Sequence, residues 1–256
     1  MIKDGLFQRF PMEAVFGAHN WPGMPVGQFT IVAGPMFASA DEFAITIRGV
    51  GAHAAMPQDG VDSVLVACQI VQGFQTIITR NKRPSHPGVI SITTIHGGEA
   101  TTVVPDRREI HGSVRAFSEE VQDLIEGRMR LIAESTCTAY GAACTFEYRR
   151  GYPPTVNHAN ETQFVREVLC NFVGPQNVQK SELMMNAEDF GYLMREIPGC
   201  YFLIGNGDGS HRLSGHGEGP CVAHNPSYDF NDSLIRLGGT MWMRLAESWF
   251  NAPRRT

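Results

Sequence analysis

The chain has 256 residues, 43% of them hydrophobic, enough to core one large domain or two modest ones. Its 21 Lys and Arg against 26 Asp and Glu give a net charge of −5 with no basic run, which argues against nucleic acid or an anionic membrane as a partner. No segment has the length of a membrane span and Met1-Ile2-Lys3-Asp4 leads into no apolar signal core, so a cytoplasmic protein is expected.

In chain order, the first feature is His19, in Ala18-His19-Asn20-Trp21-Pro22-Gly23. Pro22 fixes a backbone φ just after it, which suits an imidazole held at the end of an element, although a hydrogen-bonded surface histidine reads the same way. Residues 41–50 then alternate, with Phe43, Ile45 and Ile47 on one face, which predicts a half-buried strand. The run Gly49-Val50-Gly51-Ala52-His53-Ala54-Ala55-Met56-Pro57 reads as a tight exposed turn. From Asp59 to Arg80 the period becomes helical, with Val64, Ala67, Val71, Phe74 and Ile78 as the inward stripe. Strands are predicted over 88–96 and 107–117, with Gly97, Gly98 and Pro105 in their connection. Ser118 is a good N-cap, and with Glu119 and Glu120 against the helix dipole it starts a helix that runs to about Tyr140, Val121, Leu124, Ile125 and Ile132 inward. Cys144, Phe146 and Tyr148 alternate on a last strand of this region.

The order β-α-β-β-α-β over residues 39–151 is the split-βαβ, ferredoxin-like arrangement of an α+β domain. Tyr152-Pro153-Pro154 reads as a linker, so residues 1–38 and 152–256 belong together as parts of one α/β domain. In the last part, Tyr201 to Ile204 before Gly205-Asn206-Gly207 predict a buried, parallel-type strand, and a helix is predicted from about Ser233 to Phe250. The second histidine motif lies between them: Ala223-His224-Asn225-Pro226-Ser227-Tyr228-Asp229-Phe230. The six cysteines form no C-x-x-C pair and look like reduced thiols; Cys221, three residues before His224, reads as a small buried thiol with a metal donor as the alternative.

The two histidine motifs, their order and the segment between them resemble the amidohydrolase branch of the M20 metallopeptidase family, which includes hippurate hydrolases; the resemblance covers essentially the whole chain. It implies an α/β catalytic domain with an inserted lid or dimerisation domain, a likeness that coincides with the division at 1–38, 39–151 and 152–256. It further implies a metal-dependent amidohydrolase acting on a small-molecule N-acyl amino acid, with two divalent metals, zinc or manganese, in the complete site, and a homodimer paired through the lid. By resemblance His19 and His224 are metal ligands and His53 is a lid histidine that reaches the active site and helps bind the substrate or the tetrahedral oxyanion. Gly97, Gly98, Arg115 and Glu188 are substrate-binding positions. The residue readings leave alternatives: His53 as a loop histidine, Glu188 as a helix-start carboxylate, and Arg115 as half of a cross-strand pair. The remaining histidines have no comparable context and read as structural or solvated.

Two departures stand out. The family carries a CGHDGH-like segment and a Glu-Glu pair before the stretch equivalent to Met1, so the chain reads as the C-terminal two thirds of such an enzyme and is expected to be inactive or incomplete by itself. Thr102 precedes Val103-Val104-Pro105-Asp106 where the family often has Asn, which puts the acyl preference in doubt. The alternative of another class is a non-catalytic dimerisation or ligand-binding module derived from such an enzyme.

Overall fold

The computed structural model describes residues 1–251. Its elements in chain order are α1 (Leu6–Arg9), β1 (Val15–Pro22), β2 (Phe29–Ile31), β3 (Gly34–Phe37), β4 (Ala40–Arg48), β5 (Ala52–His53), α2 (Ser63–Thr76), β6 (Gly88–His96), β7 (Val103–Val104), β8 (Arg107–Ala116), α3 (Glu119–Ala139), β9 (Ala143–Tyr152), β10 (Thr155–Asn157), α4 (Ala159–Val173), β11 (Val178–Lys180), α5 (Phe190–Glu196), β12 (Gly199–Gly207) and α6 (Ser233–Asn251). No helix among the described residues is long and apolar enough to cross a membrane.

The chain forms two compact bodies, each a mixture of helix and sheet. The first comprises Met1–Met36, Val156–Leu183 and the chain from Tyr192 onward; the second comprises Phe37–Thr155 and Met184–Gly191.

In the first body four strands lie in the order β1-β12-β2-β11. β12 runs parallel to β1 and antiparallel to β2, so the strand predicted as parallel-type has one neighbour of each kind. All nine of its residues are buried, as its near-continuous apolar run requires of a strand flanked on both sides. Phe29 and Ile31 of β2, Phe202 of β12, Leu169 of α4 and Met241 of α6 meet in one core. Phe16 joins them through Phe164 and Trp249, with ring centroids 5.1 to 5.8 Å apart among the three.

In the second body β4, α2, β6, β8, α3 and β9 follow one another, and the sheet order is β6-β8-β4-β9 with every neighbour antiparallel. Phe43, Ile45 and Ile47 point into the core, as the alternation predicts, and meet Ile70 and Phe74 of α2 and Ile125 and Met129 of α3. Asp41, on the same face, is also fully buried; its carboxylate accepts from Gln122 Nε2 (2.7 Å), Tyr148 Oη (2.9 Å) and Gly151 N (3.2 Å). These bonds tie β4, α3 and β9 together and meet the requirement that a buried carboxylate be hydrogen-bonded. Gly112 permits the close approach of β6 to β8 and of Phe43: a Cβ there would lie 2.1 Å from Ser91 O and 2.5 Å from the Phe43 ring.

Three expectations shift. α2 starts at Ser63, not Asp59, because Asp62 is its cap, accepting from Val64 N (2.8 Å) and Leu65 N (3.2 Å). Of the predicted inward stripe, Ala67 and Phe74 are buried, Val71 and Ile78 pack against the same core partly buried, and Val64 is exposed, with Val66 and Ile70 completing the buried face. A two-residue ladder, β5 with β7, lies in segments read as turn and connection, pairing Ala52 with Val104 and His53 with Val103. Residues 184–191, placed with the C-terminal segment by sequence, group with the second body, where Ala38 N donates to Met184 O (3.1 Å) and Asn186 O (2.9 Å).

Candidate functional site

His19 is the fifth residue of β1, opposite Leu203 of β12, and is half-buried. It therefore sits inside a strand rather than at the end of one. β1 is the edge strand of its sheet, which tolerates Pro22 as its last residue, and the register shifts between Trp21 and Pro22. His19 Nδ1 lies 2.6 Å from Asn20 O. A carbonyl only accepts, so Nδ1 carries the proton and Nε2 keeps its lone pair, the tautomer of a metal-ligating imidazole oriented by its backbone.

His224 lies on the turn after β12 with φ 63°, and among the described residues it alone combines a side chain with a positive φ. Histidine tolerates this region better than most residues, and such strain persists where the surroundings over-determine it. Here they do. Asn225 Oδ1 accepts from Ser227 N (2.9 Å), Tyr228 N donates to Asn225 O (2.9 Å), and Arg212 Nη1 spans from Gly219 O (2.6 Å) to Ser227 O (3.3 Å).

The two histidine-bearing segments are bound together by residues that sequence reasoning did not single out. Asn20 Nδ2 donates to Tyr228 Oη and to Asn206 Oδ1 (3.3 Å). Asn206 is fully buried: its Oδ1 also accepts from Asn231 N (3.0 Å), its Nδ2 donates to Asp229 O (3.2 Å), and its carbonyl accepts from Asn231 Nδ2 (3.2 Å). His211 Nε2 donates to the same Asp229 O at 3.0 Å. Burial raises the Tyr228 phenol pKa, partly offset by the Asn20 bond. The signal in the sequence was a lone Asn between glycines at the end of an apolar strand. Cys221 is buried with Sγ 3.6 Å from Asp229 O, in keeping with a small packed thiol.

In the second body His53 is exposed on β5, and its Nδ1 accepts from Ala55 N at 3.0 Å. The neutral ring then carries its proton on Nε2, the opposite tautomer to His19, and offers a donor outward. Gly97 and Gly98 have φ 130° and 79° and border an open cavity of about 660 Å³ with Gly51, Val103 and Val104. Arg115 is seven residues along β8 from Arg108, about 24 Å at the rise of a strand, and the residue opposite it on β6 is Val89. The structure thus places Arg115 at one end of β8 and the Gly97–Gly98 turn at the other. Glu188 lies two residues before the start of α5; its Oε1 accepts from Asp189 N (2.9 Å), and its hydrogen bond to Asp189, with burial, raises the Asp189 pKa.

The donors fit a metal centre one by one: His19 has Nε2 prepared, and His224 is exposed on a braced turn. As a set they fall short. Among the described residues no group of three or more His, Cys, Asp or Glu is placed to hold an ion, whereas a zinc site takes three or four protein ligands.

The sequence matches peptidase family M20/M25/M40 over residues 1–248. It is 32% identical over 254 residues to thermostable carboxypeptidase 1 of Saccharolobus solfataricus, covering 98% of this chain and 61% of that protein. It is 30% identical over 247 residues to the hippurate hydrolase of Campylobacter jejuni, covering 96% of this chain and 62% of that protein. The chain thus spans about three fifths of the length of these relatives. The crystal structure of the Bacillus subtilis YXEP protein, described as a dinuclear metal-binding peptidase of the M20 family, superposes with a TM-score of 0.73 at 26% identity over 96% of this chain and 59% of that one. The chain belongs to peptidase family M20/M25/M40.

Proposed function

We infer that the whole protein is a cytoplasmic, metal-dependent amidohydrolase that cleaves the amide bond of N-acyl amino acids of the hippurate type. The observation that carries the reading is the opposite use of Nδ1 in two histidines: in His19 it faces Asn20 O, which leaves a neutral ring an Nε2 lone pair for a metal, and in His53 it accepts from Ala55 N, which leaves an Nε2 proton for an oxyanion. His19 and His224 would each supply one imidazole to a two-metal centre, of zinc or manganese, and such a centre would polarise the scissile carbonyl and supply hydroxide at neutral pH. His53 donates to the oxygen on which negative charge develops. Gly97, Gly98, Arg115 and Glu188 contact substrate. The second body serves as a ferredoxin-like lid and as the dimerisation domain.

The test is hydrolysis of hippurate by the full-length protein, followed as released glycine, beside a His19→Ala, His224→Ala double variant. Turnover in the parent and none in the double variant is the expected result; equal rates would remove both histidines from the reaction.

A further inference from the structure

Arg108 lies on β8, two residues before Ile110 on the core side of the strand, and so at the edge of the core. Its guanidinium occupies the space that side chains at Gly97 and Gly98 would fill. A Cβ at Gly98 would lie 2.8 Å from Arg108 Nη2, and one at Gly97 would lie 3.1 Å from Nη1. The two glycines, which the family resemblance places close to the substrate, are therefore the seat of an arginine. Arg108 Nε is buried with no hydrogen-bond partner, and among the described residues Arg108 has no ion pair. Nε is thus left without a partner inside the protein while the guanidinium borders the space beside the two glycines, and its planar fork suits a carboxylate.

The space it borders is a cavity of about 470 Å³ that also touches Gly98, Thr101, Val103, Val104 and Asp62. Val103 is the cross-strand partner of His53, so the cavity opens beside the β5–β7 ladder that carries the candidate oxyanion donor. Its acidic neighbours are Asp62 and Glu99. Asp62 Oδ1 is already used by two backbone N–H groups at the start of α2, and Glu99 is exposed at the rim.

We propose that this cavity is an anion subsite in which Arg108 pairs with a carboxylate of the substrate remote from the scissile amide, so that the preferred substrate is an N-acyl amino acid bearing two carboxylates. The substrate assignment rests on the amidohydrolase reading above; the anion subsite does not.

The experiment therefore reads binding apart from turnover. Glutarate is titrated calorimetrically into the purified chain, beside its monoamide, and into the Arg108→Met and Glu99→Gln variants; in parallel, the full-length protein is assayed on N-succinyl and N-acetyl derivatives of one amino acid. Glutarate should bind more tightly than its monoamide, with affinity falling about tenfold or more in R108M, as loss of a charge-assisted pair implies. It should tighten in E99Q, where a rim charge is removed while the fold is untouched. R108M should raise KM for the succinyl substrate and leave that for the acetyl substrate unchanged. Equal binding of diacid and monoamide by the parent chain, or tightening in neither E99Q nor loss in R108M, overturns the subsite. Arg108-dependent binding of glutarate by a protein that hydrolyses neither derivative nor hippurate would keep the subsite and discard the amidohydrolase reading.

Discussion

At the scale of single residues, hydrogen bonds to backbone decide what each imidazole can do. His53 accepts from Ala55 N at Nδ1 and so presents Nε2–H. In the full-length protein His53→Ala should lower turnover by about 10²-fold or more, in the range of a lost oxyanion donor, with metal content unchanged. Kinetics and elemental analysis on one preparation check this; near-parental turnover would make His53 a loop histidine. The thiols give a second residue-scale test. All six cysteines are free, Cys68 is exposed, and burial pushes the thiols of Cys137 and Cys200 up to about 12. A raised thiol pKa leaves little of the reactive thiolate, so at about pH 8 an alkylating reagent should label Cys68 first and reach Cys137 and Cys200 only on unfolding. Peptide mapping by mass spectrometry after brief labelling shows the order, and rapid labelling of Cys200 in the native protein would contradict its burial in β12.

At the scale of elements, β1, β12 and the loop carrying His224 share a polar network beside the apolar core that the two strands also help to build. Asn206, at the end of β12, takes Asn20 and Asn231 as donors and Asp229 as an acceptor. Asn206→Ala leaves these groups without partners in a buried place, and the expected loss is about 3 kcal/mol, the sum of one or two unmet buried hydrogen bonds. Chemical denaturation measures it. A shift below about 1 kcal/mol would mean that water replaces the Asn206 side chain with little loss. Asp41 plays a comparable part in the second body, holding β4, α3 and β9 through one carboxylate.

At the scale of the molecule, ligand arithmetic governs the metal. His19 and His224 provide two imidazoles, and no further donor group is assembled among the described residues. Residues 1–256, purified and dialysed, should therefore retain less than one zinc or manganese per chain, because two ligands hold a divalent ion weakly. Elemental analysis decides it, and two tightly held metals per chain would point to replacement donors, with Cys221, Glu188 and Asp229 the first to substitute. By itself the sequence determined the elements whose period is strong. The alternation of Phe43, Ile45 and Ile47, the Ser118 cap with its two glutamates, and the apolar run of β12 each act over a few neighbouring residues, and local pattern suffices. Period did not decide the rest, and much of it only the tertiary structure did. The start of α2 moved because the Asp62 side chain, not the hydrophobic period, sets the cap. The β5–β7 ladder pairs two-residue strands about fifty residues apart, too short to show any period. The Asn206 network depends on groups brought together from distant positions, and hydrogen-bond partners of that kind leave no periodic trace in a sequence; the bonds that orient His19 and His53 reach only one and two residues along the chain but need the backbone conformation that the folded strands fix, and the seating of Arg108 under Gly97 and Gly98 follows from the register of β6 with β8.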